Sequence, residues 1–264
     1  MARVQRLTSP ANGLVKEVRR AIARGGLTED GCSVAETFHL LEEALRSQCE
    51  IPLVLAAESA RPEVERLLKQ RPESRLFVLP DALSERVSAT ESSQGVISLI
   101  RPKVWTLEDL FGERPLVMVL DGVQDPGNAG AILRAAEAFG SSGVLFGRGS
   151  VNPYNPKAMR ASAGSVFRVP LLHGQEADAF REALKSRAPV LYAASASGGA
   201  PAGEADFARG CAIVISNEGR GLRREAWPGS QEVHIPTTSV ESLNAAMAAG
   251  ILLYEARRQR EKRP

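Results

Sequence analysis

Leu116-Val117-Met118-Val119-Leu120-Asp121-Gly122-Val123-Gln124-Asp125-Pro126-Gly127-Asn128-Ala129-Gly130-Ala131-Ile132-Leu133-Arg134 is the stretch from which the chain is best read. Five apolar residues in a row have the pattern of a strand buried on both faces. A turn with glycine and proline follows, and then a helix expected near Ala129 to Phe139. Asn128 and Arg134 lie about two turns apart, at opposite ends of its opening segment. The turn has neither G-x-G-x-x-G nor the lysine of a phosphate loop, so ordinary nucleotide motifs do not fit. Alone, the pattern also suits a plain strand-turn-helix with an asparagine cap.

The same alternation continues toward the C-terminus. Strands are expected at Gly143 to Phe146, Val190 to Ala194 and Ala212 to Ser216, with helices near Asp178 to Ser186 and Ser242 to Arg258. That is the signature of a parallel sheet covered on both faces, whose sites lie at the carboxyl ends of its strands. Toward the N-terminus, Ser9 and Pro10 open a helix running to Arg24, with Leu14, Val18 and Ile22 at i+4 and Gly25-Gly26 as its stop. A helix over Ala35 to Ser47, a strand over Ile51 to Ala57 and a helix over Pro62 to Gln70 follow. Strands at Arg75 to Leu79 and Val96 to Ile100 complete a smaller α/β domain. The stretch Arg101 to Pro115, rich in proline and mixed charge, reads as linker-like. The expected division is residues 1–105, a linker over 106–115, and residues 116–264.

Composition bounds the function. The chain has 264 residues, 33 Lys and Arg against 31 Asp and Glu, and is 44% hydrophobic, which suits folded domains and disfavours disorder. No apolar run approaches the length of a bilayer-spanning helix, and the N-terminus has no apolar leader core, so a cytoplasmic setting is expected. Cys32, Cys49 and Cys211 lie far apart, as do His39, His173 and His234, and no metal is implied. Charge is nonetheless uneven. Arg3, Arg6, Lys16, Arg19, Arg20 and Arg24 face only Glu17 in the first 24 residues, and five cations face two acids in the last ten. Such clusters are the footprint of phosphate binding or simply solvated helix faces.

Two further segments have the same strand-then-loop form. Ile213-Val214-Ile215-Ser216-Asn217-Glu218-Gly219-Arg220-Gly221-Leu222 runs from a buried strand into a glycine-bearing loop, where Glu218 requires partners. Val233-His234-Ile235-Pro236, then Ser239 to Ser242, leads into Leu243-Asn244-Ala245-Ala246-Met247-Ala248-Ala249-Gly250. Those small residues permit close approach of a backbone or ligand, or reflect helix propensity alone. Together and in this order, the three segments resemble the motifs of the SpoU family of RNA 2′-O-ribose methyltransferases, within the SPOUT superfamily. Asn155-Pro156-Lys157-Ala158-Met159-Arg160-Ala161-Ser162-Ala163-Gly164 is similar to the segment between the family's first two motifs. Leu7 to Lys16 and Ser93-Gln94-Gly95-Val96 resemble the start and end of the substrate-binding domain attached to many of these enzymes. Val34-Ala35-Glu36-Thr37 departs from its usual Val-Glu-Gly.

The resemblance implies an α/β fold: a C-terminal, trefoil-knotted parallel-sheet SPOUT methyltransferase domain preceded by a smaller, ribosomal-protein-like α/β domain. It implies a homodimer and S-adenosylmethionine held by Ala194, Ser216, Gly219, Ile235 and Leu243. Ser216 stands where the family commonly has glycine. Asn128, Arg134, Glu218, Ser242 and Asn244 would form the polar side of the active site, Glu218 and Asn244 as orienting or directly catalytic groups. Arg6, Asn12, Lys16, Arg19 and Arg20 are expected on RNA, and Lys157 and Arg160 either on RNA phosphates or as ordinary surface cations. With 5% aromatic residues, extensive base stacking is not expected. The implied activity is 2′-O-methylation of RNA, foremost of large-subunit ribosomal RNA. The alternatives are a transfer RNA methyltransferase, an antibiotic-resistance ribosomal RNA methyltransferase, and a non-catalytic RNA-binding assembly factor.

Overall fold

A computed structural model describes residues 4–90, 92–187, 190–217 and 224–262. Its contacts divide into two units: Met1–Val104 with Tyr154–Phe167, and Trp105–Pro153 with Arg168–Pro264.

The first unit is built on a five-stranded mixed sheet ordered β1-β4-β3-β5-β2. Its strands are β1 (Val4–Arg6), β2 (Ser33–Ala35), β3 (Leu53–Ala57), β4 (Arg75–Leu79) and β5 (Val96–Ile100). Helices α1 (Gly13–Arg24), α2 (Phe38–Arg46), α3 (Arg61–Leu67) and α4 (Asp81–Val87) connect them. Helix α1 begins three residues later than the sequence suggests. Asn12 Oδ1, rather than Ser9, caps it by accepting from Leu14 N at 2.9 Å, and Gly25 closes it at φ +63°, where a Cβ would be strained. Val15, Val18 and Ala21 form its buried stripe, against Leu53, Leu55 and Phe77 of the sheet. Leu14 and Ile22 only border that core. Ala35, expected to open a helix, ends strand β2, and Thr37 instead caps the shorter α2 through Leu40 N at 3.1 Å.

The second unit carries seven parallel strands in the order β10-β12-β9-β11-β6-β7-β8. They are β6 (Leu116–Asp121), β7 (Gly143–Gly147), β8 (Leu171–Gln175), β9 (Val190–Ser195), β10 (Ala200–Pro201), β11 (Cys211–Ser216) and β12 (Gln231–His234). Helix α5 (Pro126–Ala138) follows β6. Between β7 and β8 the chain forms α6 (Pro156–Ser162), which packs on β2 and belongs to the first unit. Helices α7 (Ala177–Arg187) and α8 (Ala245–Glu261) complete the second. Strand β6 is buried at every residue because β11 and β7 flank it. Val117, Val119, Val214 and Trp227 share one apolar core, and Trp227 Nε1 donates to Asp121 Oδ2 at 2.9 Å.

Two boundaries differ from the sequence expectation. Residues 106–115 are not a free connector: Leu110 is fully buried in the second unit's core, beside Leu107 and Phe111. Tyr154–Phe167, expected in the second domain, joins the first unit, so the chain passes between units three times. The segment is anchored within that unit by close packing. Asn155 fills the space a Cβ at Gly25 would need, and Glu43 does the same at Gly164.

Candidate active site

The carboxyl ends of β6 and β11 lie in register, Asp121 beside Ser216, so the loops that leave them meet. Gly122 turns the first loop at φ +77°, a left-handed angle that suits glycine. Ser150 Oγ holds the turn by accepting from Gly122 N at 3.0 Å and donating to Leu120 O at 2.9 Å. Asn217 ties the second loop to the first. Its backbone N donates to Asp121 O at 3.2 Å, and its Nδ2 donates to Gly122 O at 3.0 Å.

Two helix N-termini face this junction. Asp125 caps α5, its Oδ1 accepting from Asn128 N at 2.7 Å, with Pro126 in the first turn. Asn128 is therefore the third residue of the helix rather than its cap. At α8 the cap is Asn244, whose Oδ1 accepts from Ala246 N at 3.0 Å and Met247 N at 3.3 Å. The remaining half of that amide reaches across: Asn244 Nδ2 donates to Asn128 Oδ1 at 3.0 Å. Two residues 116 positions apart thus cross-link the starts of two helices. Arg134, six residues beyond Asn128 and roughly 9 Å further along the helix axis, is exposed, with no ion-pair partner among the described residues.

A cavity of about 270 Å³ opens beside this cross-link. Ala194, Ser216, Ile235 and Leu243, the described residues expected to hold a cofactor, all line it, as does Ser242. Ala245 and Ala248 of α8 form part of its wall, so the small residues there do leave room for a ligand. Ser216 Oγ is buried and has no hydrogen-bond partner among the described residues. A buried hydroxyl in that condition is costly unless a ligand or water completes it. A neighbouring recess of about 210 Å³ is walled by Gln124, Asn128 and Asn217 and shares Ser216 and Ala245 with the cavity. Glu218 and Gly219 lie outside the described residues.

The residues expected on RNA belong to the first unit and fall into two groups. Lys16 and Arg19 are exposed with no ion-pair partner among the described residues, and Lys157 is exposed at the start of α6. The others are engaged: Arg6 pairs with Glu58, Arg20 with Glu29 at 3.0 Å, and Asn12 gives its side-chain oxygen to the α1 cap. Arg160 is not a free surface cation; its Nη1 donates to the buried Glu36 carboxylate at 3.0 Å. Asp125, Ser150 and Asn217 are structural members of the site to which sequence reading gave no role. Asp125 had a local signal, an acidic residue directly before proline at a helix start, whereas Ser150 had none.

The model of the SpoU rRNA Methylase family matches residues 115–254. An uncharacterized tRNA/rRNA methyltransferase of Synechocystis sp. is 31% identical, over 96% of this chain and 93% of that one. The 23S rRNA (guanosine(2553)-2′-O)-methyltransferase RlmP of Bacillus subtilis is 27% identical, over 96% of this chain and all of its own. Among solved structures, the AdoMet-bound rRNA methyltransferase from Sinorhizobium meliloti is similar at a TM-score of 0.85 and 25% identity, covering 97% of this chain and 98% of that one. An RNA 2′-O ribose methyltransferase is similar at a TM-score of 0.80 and 31% identity, covering 97% and 100%.

Proposed function

The chain belongs to the SpoU rRNA methylase family, and from that premise we propose that it methylates a ribose 2′-oxygen of RNA with S-adenosylmethionine, its substrate being large-subunit ribosomal RNA. The observation that carries this reading is the pair of adjoining spaces at the carboxyl ends of β6 and β11, one lined by the buried Ser216 hydroxyl, unpartnered among the described residues, and the other by Asn128. The first suits a cofactor and the second an acceptor. The name of the Bacillus relative supports 23S ribosomal RNA, and that of the Synechocystis relative keeps transfer RNA as the second reading.

The cavity fits the cofactor by its chemistry: apolar walls from Ile215, Val233 and Leu252, with the Ser216, Thr237 and Ser242 hydroxyls among them, suit a ligand with apolar and polar parts. Ala194, Ser216, Ile235 and Leu243 would hold it, with Gly219 assigned by family resemblance. When bound, S-adenosylmethionine supplies a methyl group made electrophilic by its sulfonium. The chain's task is then alignment for in-line transfer and removal of the hydroxyl proton. Arg134 is a poor base, because a guanidinium offers five donors and no acceptor. It clamps a substrate phosphate and stabilises the negative charge growing on the 2′-oxygen, and the proton leaves to phosphate or water. Asn128 and Asn244, joined by their hydrogen bond, keep the acceptor wall in place. Ser242 and Glu218 serve as orienting groups. The 2′-hydroxyl requirement makes RNA, not DNA, the substrate.

Three finer features belong to the same proposal. Strand β12 pairs with β9, and α8 then returns to pack on α5 and β11, which supports a trefoil-knotted path. Met247, Ile251 and Tyr254 of α8 are 57%, 39% and 56% exposed and share one face, which supports a homodimer through that helix. The first unit serves as the RNA-binding domain, and the enzyme works in the cytoplasm.

Incubating the protein with labelled S-adenosylmethionine and unmodified ribosomal or transfer RNA, followed by nucleoside analysis, tests the activity. Label is expected in a 2′-O-methylnucleoside of large-subunit RNA, falling at least about tenfold in Arg134→Lys, which keeps the charge but loses the planar fork. Near-normal turnover in that variant would remove the role given to Arg134. Cofactor binding without label in any RNA would favour a non-catalytic binding factor.

A further inference from the structure

Within the first unit, α1 and the end of α4 flank an open groove of about 600 Å³. Lys16, Arg19 and Arg20 line it from α1, and Arg86 lines it from α4. The helical repeat explains the α1 set: residues three and four apart share a face, and Val15, Val18 and Ala21 take the buried one. All four cations are exposed. Arg20 shares its charge with Glu29, while Lys16, Arg19 and Arg86 have no ion-pair partner among the described residues. Like charges gathered around one depression repel one another until an anion enters it.

The floor of the groove is held from beneath. Ser88 and Ala89, which follow α4, line it, and both donate to Glu36 Oε1, the hydroxyl at 2.9 Å and the backbone N at 2.7 Å. The other carboxylate oxygen of Glu36 accepts from Arg160 Nη1 at 3.0 Å. A carboxylate bonded to two lining residues would weaken the groove's positive potential, but Arg160 balances that charge. The buried pair therefore fixes the floor without cancelling the field.

We infer that this groove is a subsite for the sugar-phosphate backbone of RNA, with Arg86 contacting phosphate alongside the α1 cations. The inference rests on the RNA reading above and adds where the first unit grips. An extended row of cations suits a polyanion better than a single phosphate. The lining holds no aromatic side chain on which a base would stack, so the grip is on backbone and indifferent to sequence.

The test is binding of an unmodified large-subunit ribosomal RNA transcript at several salt concentrations by the full chain and its Arg86→Glu, Lys16→Glu and Lys69→Glu variants. Lys69 is an exposed cation of the same unit outside the groove and controls for net charge. Arg86→Glu and Lys16→Glu are expected to weaken RNA binding about tenfold, equally for transcripts of different sequence, and to flatten the salt dependence by about one phosphate contact each. S-adenosylmethionine affinity stays unchanged, and Lys69→Glu binds RNA within about twofold of the parent. Wild-type affinity in Arg86→Glu, or equal loss in Lys69→Glu, overturns the groove while leaving methylation intact. RNA that binds through the groove yet is never methylated upholds the groove and defeats the proposed activity. A parent chain that binds no RNA defeats both.

Discussion

Ser216 carries a buried hydroxyl that meets no hydrogen-bond partner among the described residues, at a position where the family it resembles commonly has glycine. Under the proposed cofactor assignment, that oxygen is a cost without ligand and a contact with it. The two states therefore respond oppositely to its removal. Ser216→Ala is expected to raise the melting temperature of the ligand-free protein, since an unsatisfied buried hydroxyl costs about 1–3 kcal/mol, while weakening S-adenosylmethionine binding about tenfold. Differential scanning fluorimetry and isothermal titration on the same preparation read both. A lower melting temperature with unchanged affinity would end this account. The unusual residue was plain in the sequence, but its lack of a partner among the described residues depends on which atoms distant loops bring near. Arg160 is the converse case. Near Lys157 it read as an RNA contact or an ordinary surface cation, because nothing local announces a carboxylate 124 residues earlier.

At the scale of elements, the starts of α5 and α8 are one device, since the Asn244 amide caps its own helix with one end and reaches Asn128 with the other. Asn244→Ser separates the two duties. Serine caps a helix about as well as asparagine, so unfolding free energy should hold within about 0.5 kcal/mol. Its shorter side chain does not also span to Asn128, so turnover should fall at least about tenfold. Asn244→Ala should lose the turnover and roughly 1 kcal/mol of stability as well. Full activity in the serine variant would make the cross-link dispensable. Elements with strong periodicity were legible to within a few residues: β6 as an apolar run, β4 and β5 at their ends, and α5 through its glycine and proline approach. Two short elements, β2 and α4, were not. Strand β2 has three residues and owes its place to pairing with β5, and α4 has seven with no side-chain cap. Their stability comes from neighbours that a local pattern does not contain.

Over the whole molecule, the Glu36 and Arg160 pair binds the 154–167 segment into the first unit, and it behaves as a buried charge system. Glu36 is fully buried at its side chain and Arg160 is 28% exposed. Arg160→Met leaves the carboxylate uncompensated and should cost on the order of 3 kcal/mol in urea unfolding. Adding Glu36→Gln should return most of that loss, since the remaining amide carries no charge. Additive losses in the double variant would show that the residues act independently. The three passages of the chain between units also bear on how the protein is made. As the chain leaves the ribosome from its N-terminus, residues 1–104 emerge without α6, and Glu36 has no Arg160 to meet. The unit that begins first therefore waits for a segment synthesised after β6, α5 and β7, and the order of completion need not follow the order of synthesis.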